Sequence, residues 1–402
     1  MRRLIATLLL GACPALVTGP ARADDTTTSG LIAERGISGA LAQIESAQTS
    51  PDRDPDADLD MALAALRFLR GIELAYQARW QAGATDTPVP IPVIATTLAP
   101  NPAPEPMRSD FYNLLAGDLA IAMQATRDAL PDDGGALVLN LSDIWFDIDG
   151  DGARGTEEGL MHLFMMPAPE GPPAAIRFDA ADALWLRAYT HLIEGAMNLV
   201  LAFDPEPALA ETLALRLTLA EQFAAAQAAP QQDGGYFALD FELIADTLAT
   251  LVKTLRNQPD PERIAEAESH LRRMIAANRD FWTAVATETD DDREWIPNDR
   301  QQQALGLEVP QGAGDAWQKV LADAERVLDG ELLIPYWRFA PGSGIDLRAW
   351  LDDPQPVDLI GWVQGTDALD FASEGEMIDG ESWQQFTTLT SGQAGLYMVF
   401  FN

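Results

Sequence analysis

The strongest helical pattern in the chain lies in residues 179–203, which read DAADALWLRAYTHLIEGAMNLVLAF. Asp179 stands where an N-cap residue is expected, and Phe178 stands just outside it. Asp182 falls in the first turn, where a carboxylate interacts favourably with the helix dipole. A helix of this length spans a small domain, so we expect other helices to pack on it.

Similar patterns occur on both sides of this stretch. Apolar residues recur at steps of three and four, which predicts helices over 31–47, 56–82, 110–130, 205–229, 237–257 and 260–286. The loops between the later helices are short, as between antiparallel neighbours. The predicted fold class is mostly α: an antiparallel helical bundle or helical-hairpin array, with a strand–loop–helix insertion and a small irregular α+β cap at the C-terminal end.

The first 23 residues are typical of an export signal. Arg2 and Arg3 precede an apolar run over 4–12, and Ala21-Arg22-Ala23 has the small residues of a cleavage site. This pattern predicts a periplasmic or secreted protein. Cys13, the single cysteine, also ends a lipoprotein-like box, so a lipid anchor is the alternative. Without Cys13 the mature chain has no disulfide and no thiolate ligand.

The remaining chain divides by composition. We predict a helical domain over 24–287 and a tryptophan-rich cap over 288–402 that is docked on the helical body. In the cap we expect one helix over 316–328 and short strands within 332–339, 357–363 and 396–401. Six tryptophans fall in this last quarter: Trp295, Trp317, Trp337, Trp350, Trp362 and Trp383. Flat aromatic faces can hold sugar rings, so carbohydrate binding is one functional alternative.

Residues 147–158, DIDGDGARGTEE, carry the sharpest chemical signal in the chain. Three aspartates occupy alternate positions, Gly152 stands at the required sharp turn, and an acid closes the twelve-residue frame. A Ca²⁺ ion takes about six to eight oxygens. The predicted ligands are the carboxylates of Asp147, Asp149, Asp151 and Glu158, the Ala153 carbonyl, and a water near Gly155.

These twelve residues resemble the calcium loop of the EF-hand family. The resemblance implies a bound Ca²⁺ as the cofactor. Arg154 stands where the family has an aliphatic residue that pairs two loops, and no second loop of this kind occurs in the chain. The preceding stretch, 137–146, alternates like an extended segment. The expectation is therefore a solitary strand–loop–helix site with a structural role.

His191 and Glu194 form a second candidate site. With Arg187 and Asn198 they follow one another at steps of four, three and four, which places them along one helix stripe. The His-x-x-Glu spacing is similar to that of the imelysin family, all-helical exported bacterial proteins linked to iron acquisition; Tyr189 stands where that family has glycine. The resemblance implies a metal- or haem-iron-related periplasmic protein, and a hydrolase that uses His191 and Glu194 is a further alternative. His270 is expected on an exposed helix face.

The net charge of the chain restricts the classes of partner that it can bind. Its formal net charge is −36 at pH 7, which disfavours nucleic acid and anionic membrane surfaces as partners. No stretch after residue 23 is apolar and long enough to span a membrane. The sequence also has no nucleophile elbow, phosphate loop or His-Glu-x-x-His motif. A non-enzymatic binding or scaffold role, with calcium and another envelope protein as partners, is therefore favoured over an enzyme.

Overall fold

The computed structural model describes residues 27–49, 55–84, 94–132, 134–164, 175–226, 238–306 and 309–401. The predicted signal peptide and Cys13 lie outside these residues. The described residues are mostly helical, as predicted. Their α-helices are α1 (Thr27–Gln48), α2 (Ala57–Gln81), α3 (Phe111–Ala129), α4 (Leu160–Leu163), α5 (Ala180–Phe203), α6 (Glu206–Ala226), α7 (Ala238–Leu255), α8 (Pro261–Thr287), α9 (Ala313–Leu328), α10 (Leu347–Asp352), α11 (Leu359–Gln364), α12 (Glu381–Leu389) and α13 (Ala394–Phe401).

Local capping chemistry sets the first residue of several long helices. The Asp56 side chain accepts hydrogen bonds from two backbone N–H groups at the start of α2. At α5, Asp179 and Asp182 form a reciprocal capping box, with Asp182 accepting from the Asp179 N–H at 3.1 Å. Asp260 caps α8, and Pro261 occupies the first turn, where its missing N–H costs nothing. These short-range signals explain why helix ends read from the sequence lie close to the observed ones.

Two small antiparallel sheets accompany the helices. Strand β1 (Leu137–Asn140) pairs with β2 (Ala175–Phe178), with Leu137 opposite Phe178. Strand β1 leads towards the acidic loop, and β2 leads directly into α5. The second sheet lies in the C-terminal part and has the order β3 (Ile334–Pro335), β4 (Ser343–Ile345) and β5 (Ala372–Glu374).

The long helices pack in a chain of neighbours with α5 at its centre. Helix α1 packs on α2, α2 on α3, α3 on α5, α5 on α8, α8 on α9 and α9 on α12. One buried core joins α1, α2, α3, β1 and one face of α5, including Leu186 and Ile193. A second core joins α8, α9, α12, α13 and the other face of α5, which contributes Ala181 and Ala188. Helix α5 is therefore common to both cores.

The strands predicted within 357–363 and 396–401 are wrong, because these segments form α11 and α13. At α11, Asp358 accepts the Ile360 N–H at 3.1 Å and Gly365 closes the helix at φ 100°. The Asp and Gly caps were the signal for a helix, but short apolar runs do not distinguish strand from helix. Phe401 of α13 is fully buried in the second core, where tertiary packing decides its conformation.

Residues after 287 share their core with the helical body. Ala316 and Trp317 of α9 and Phe386 of α12 belong to the same buried cluster as Phe281 of α8. The proposed boundary falls at the last residue of α8, and the division into two domains stays a prediction. Among the described residues, no helix combines the length and the hydropathy needed to cross a membrane.

Candidate metal-binding loop and buried polar clusters

The three aspartates of the acidic loop converge. Carboxylate oxygens of Asp147, Asp149 and Asp151 lie within 4.8 Å of one another, with Asp147 half-buried and the other two exposed. Three carboxylates at this separation repel one another unless a cation or protons neutralise them. Sequence spacing predicted this convergence, and a group of carboxylates this close could hold a metal ion.

The backbone of the loop curls around these side chains. Gly150 and Gly152 both have φ 76°, in the left-handed region that glycine adopts without strain. The Gly152 N–H donates to the Asp147 carboxylate at 3.2 Å, and the Ala153 N–H donates to Asp151 Oδ1 at 2.8 Å. Ala153 and Gly155, the predicted carbonyl ligand and water position, lie in the exposed part of the loop.

Glu158 lies on the inner side of the loop and is not one of the three converging carboxylates. Its Oε1 accepts the N–H groups of Ile148 at 2.7 Å and Asp149 at 3.4 Å, and its Oε2 accepts that of Gly155 at 2.7 Å. Burial raises the pKa of the Glu158 carboxyl, although these hydrogen bonds act in the opposite direction. Glu158 thus holds the two halves of the loop together in this conformation.

The two ends of the loop are tied to each other. Trp145 and Gly159 form an antiparallel bridge, and the Phe146 N–H donates to the Glu158 carbonyl at 2.9 Å. Arg154 Nη2 donates to the Ser142 carbonyl at 2.8 Å, so Arg154 fastens the loop to the turn before it. Helix α4 follows directly, which gives the predicted strand–loop–helix order.

Helix α2 anchors the loop to the first core. The fully buried Glu73 accepts the Asp147 N–H at 2.8 Å, and Gln77 donates to the Asp147 carbonyl at 2.6 Å. Arg70 pairs with Glu73 at 2.5 Å and balances its charge. One turn of α2 therefore sets the position of the Asp147 backbone. It thereby also positions one of the three converging carboxylates.

His191 and Glu194 lie in a buried polar network between α3, α5 and α8. His191 Nδ1 lies 3.0 Å from His270 Nδ1, and His270 Nε2 lies 3.4 Å from Glu194 Oε1. The other Glu194 oxygen pairs with Arg127 of α3. The prediction that His270 is exposed is wrong, because its side chain is 4% exposed. Its partner, His191, lies 79 residues away in the sequence. The spacing of residues within one helix gives no information on such a contact.

One arrangement of protons in the neutral pair matches this geometry. With a proton on His270 Nε2 directed at the Glu194 carboxylate, His270 Nδ1 would accept the Nδ1–H of His191. Burial, followed by the charge of Arg127, lowers the pKa of His191 to about 3. His191, Glu194 and His270 are not among the groups of described residues that bring three ligand atoms within 4.8 Å of one another. A metal- or haem-related role for His191 and Glu194 stays a prediction.

A second carboxyl cluster was not anticipated from the sequence. Oxygens of Asp179, Glu288 and Glu294 lie within 4.8 Å of one another, where the start of α5 meets the end of α8. The buried Asp182 lies beside them and caps the same helix. Burial raises the pKa of Glu288 to about 7 and raises that of Glu294 as well. Protons therefore relieve part of the repulsion in this cluster at neutral pH.

The six C-terminal tryptophans do not present one common face. Trp317 is buried in the second core, Trp350 stacks on Phe203, and Trp362 stacks on Phe371 at an interplanar angle of 6°. Trp295 is half-buried against other aromatic rings. Trp337 and Trp383 are exposed. Most of these tryptophans therefore act as packing residues, and carbohydrate binding stays a prediction.

The fold and the loop define a mostly helical protein with small antiparallel sheets and one convergent acidic loop. Comparison of the chain with family models, with curated proteins and with solved structures gives no match.

Proposed function

We propose that this chain is an exported envelope protein with a binding or scaffold role, and that one Ca²⁺ ion bound by residues 147–158 stabilises its fold. The observation that carries the proposal is the convergence of the Asp147, Asp149 and Asp151 carboxylates within 4.8 Å. The exported location rests on the signal-like pattern of residues 1–23.

The chemistry of the donor set favours calcium. Hard cations prefer carboxylate and carbonyl oxygens, and Ca²⁺ tolerates the irregular, flexible coordination of a surface loop better than Mg²⁺ does. The ion would be held by the three aspartates, with the Ala153 carbonyl, a water near Gly155 and Glu158 as the remaining proposed ligands. Glu158 would have to exchange some of its hydrogen bonds to loop N–H groups for the ion.

A structural role follows from the anchoring of the loop. The Asp147 backbone is hydrogen-bonded to Glu73 and Gln77 of α2, and the loop ends are bridged at Trp145 and Gly159. An ion that binds only the folded state adds about 2.7 kcal/mol of stability at a hundredfold excess over its Kd. Calcium would thus stabilise the junction between the loop and the first core.

The test is thermal unfolding of the purified protein in EGTA, in millimolar Ca²⁺ and in millimolar Mg²⁺. We expect Ca²⁺ alone to raise the midpoint by several degrees, and Asp149→Ala to abolish that rise. The quantity compared is the Ca²⁺-dependent shift, because Asp149 Oδ1 also accepts the Asp151 N–H and its loss affects the loop without calcium.

Asp118→Ala is the matched control, since Asp118 is an exposed aspartate on α3. It should keep the full calcium response. If Ca²⁺ does not shift the midpoint, the proposal is wrong. It is also wrong if Asp118→Ala and Asp149→Ala respond alike, because calcium then acts on the general acidic surface. Calorimetric titration should give one ion per chain.

A further inference from the structure

Helices α6 and α7 form a hairpin whose outer part projects from the body. At its base Ala208, Leu209 and Thr212 are buried, and Thr212 and Thr250 hydroxyls hydrogen-bond across the two helices at 2.9 Å. Every residue of 214–222 is exposed, so this part of α6 meets solvent on all sides. We call residues 214–222 of α6 and 244–251 of α7 the hairpin tip.

The hairpin tip is apolar where a solvated helix would be polar. Its large aliphatic side chains are 40–68% exposed: Leu215, Leu217, Leu219, Ile244, Leu248 and Leu251. In α6, Leu215 and Leu219 lie on one side and Leu217 lies on nearly the opposite side, at 100° per residue. A helix with apolar residues around its circumference is normally covered on more than one side.

The hairpin tip carries little net charge: its charged residues are Arg216, Glu221 and Asp246, and one base with two acids gives −1. Arg216 Nε lies 2.6 Å from Asp246 Oδ2, and Lys253 Nζ lies 2.7 Å from Glu211 Oε1. A strongly charged partner, basic or acidic, would find little net charge to bind in the tip. An identical tip brings apolar side chains and the same small net charge, so it fits this surface better than a strongly charged partner does.

The exposed area is also on the scale that a dimer needs. At roughly 30 Å² of accessible surface per aliphatic carbon, the six side chains expose about 400 Å² per chain. Two chains would thus remove about 800 Å² of leucine and isoleucine surface before alanine and backbone surface are included. A specific interface buries at least about 1,000 Å² in total.

We propose that the hairpin tips of two copies of this chain pack on each other about a twofold axis to form a four-helix bundle. In such a bundle each helix contacts two others, which covers both apolar sides of α6. The interface would lie on the hairpin and would not involve the acidic loop or the buried histidines.

The experiment is sedimentation equilibrium of the full chain at micromolar concentrations and physiological salt. We expect twice the mass of one chain for the wild type and the mass of one chain for the double variant Leu215→Glu, Leu248→Glu. Ile360→Glu is the matched control, because Ile360 is 66% exposed on α11, outside the hairpin. It should remain dimeric, and circular dichroism should show that all three proteins are folded.

Amide hydrogen exchange locates the interface independently of substitution. Amides of 214–222 and 244–251 should exchange more slowly at concentrations where the dimer forms than under dilution. A monomeric wild type, a double variant that still dimerises, or a dimer without slower exchange in the tip would each overturn the proposal. A monomer that binds phosphatidylcholine vesicles through the tip would overturn it in favour of a lipid surface.

Discussion

Four side chains from three helices form a connected polar group in the interior. Arg127 of α3 pairs with Glu194 of α5, Glu194 faces His270 of α8, and His270 contacts His191 of α5. Each member is nine-tenths buried except Glu194, whose side chain is 14% exposed. Buried polar groups of this kind are stable only while their partners keep matching protonation states.

The first prediction concerns the response of this network to acid. Burial and the charges of Arg127, His270, Arg273 and Arg187 lower the pKa of His191 to about 3, from an ordinary value of 6.5. The folded state thus binds fewer protons at His191 than the unfolded state does. The resulting stability is complete above pH 6.5 and is lost as the pH falls from 6.5 towards 3.

His191→Asn keeps an N–H donor near the His270 ring but cannot be protonated in this range. We expect its free energy of unfolding, measured with urea, to fall less than that of the wild type between pH 6.5 and pH 4. His162→Gln is the control, because His162 is exposed beside the acidic loop. Equal acid sensitivity of wild type and His191→Asn would contradict the prediction.

At the scale of residues, a site can be predicted from the sequence when its residues lie close together along the chain. Asp147, Asp149 and Asp151 were predictable because alternate positions in a glycine-containing loop bring their carboxylates together. His191 and His270 were not, since a pair 79 residues apart depends on how α5 packs on α8. The cluster of Asp179, Glu288 and Glu294 was missed for the same reason.

Among the elements, helix α1 is shaped by one residue of the segment that leads to the acidic loop. Gly36 interrupts α1 at φ 70° and ψ 176°. The Trp145 indole packs at this bend and donates from Nε1 to the Ile32 carbonyl at 2.8 Å. A Cβ on Gly36 would lie 3.0 Å from Trp145 Cζ2. The bend in α1 therefore provides the space for the tryptophan.

Gly36→Ala should destabilise the protein by about 1–3 kcal/mol, because alanine is strained at this positive φ and its methyl group would press on the indole. Urea unfolding followed by tryptophan fluorescence measures the loss. Gly30→Ala is the matched control in the same helix, since a Cβ there meets nothing within 4 Å. It should be neutral or stabilising by up to about 1 kcal/mol.

If both substitutions in α1 had the same effect, the bend at Gly36 would not be required by Trp145.

The helix ends were easier to predict from the sequence than the bend, because local capping residues set them. Ends capped by Asp56, Asp179 and Asp260 were predicted from the sequence to within a few residues. The bend at Gly36 and the helix α13 were not, because contacts distant in sequence decide them.

On the scale of the whole molecule, α5 connects the two cores. Its Leu186 and Ile193 belong to the first core, and its Ala181 and Ala188 belong to the second. The change in composition near residue 288 predicted where the tryptophan-rich part begins. It did not reveal that this part shares a core with α5 and α8, because composition carries no information on which surfaces meet.

The shared helix predicts cooperative unfolding of the two cores. Phe386→Ala removes a fully buried ring from the second core, and we expect a cost of about 3–5 kcal/mol. Because α5 belongs to both cores, far-ultraviolet circular dichroism and tryptophan fluorescence should shift together to lower urea and remain one transition. The same holds for Phe146→Ala in the first core.

A biphasic curve for Phe386→Ala, with the first core still folded after the second is lost, would contradict this prediction. It would instead support two domains that unfold independently on either side of residue 288. The wild-type curve alone cannot make this distinction if the two cores happen to be equally stable. The paired variants make it because each weakens one core only.

The contact between Trp185 and Phe400 has a consequence for the order of events during synthesis. Trp185 Nε1 donates to the Phe400 carbonyl at 2.9 Å, across 215 residues of sequence. At about 5–20 residues per second, a ribosome needs roughly 10–40 s to make the intervening chain. The Trp185 indole N–H therefore has no access to this acceptor until α13 has been made. The second core, which includes Phe401 of α13, is complete only then.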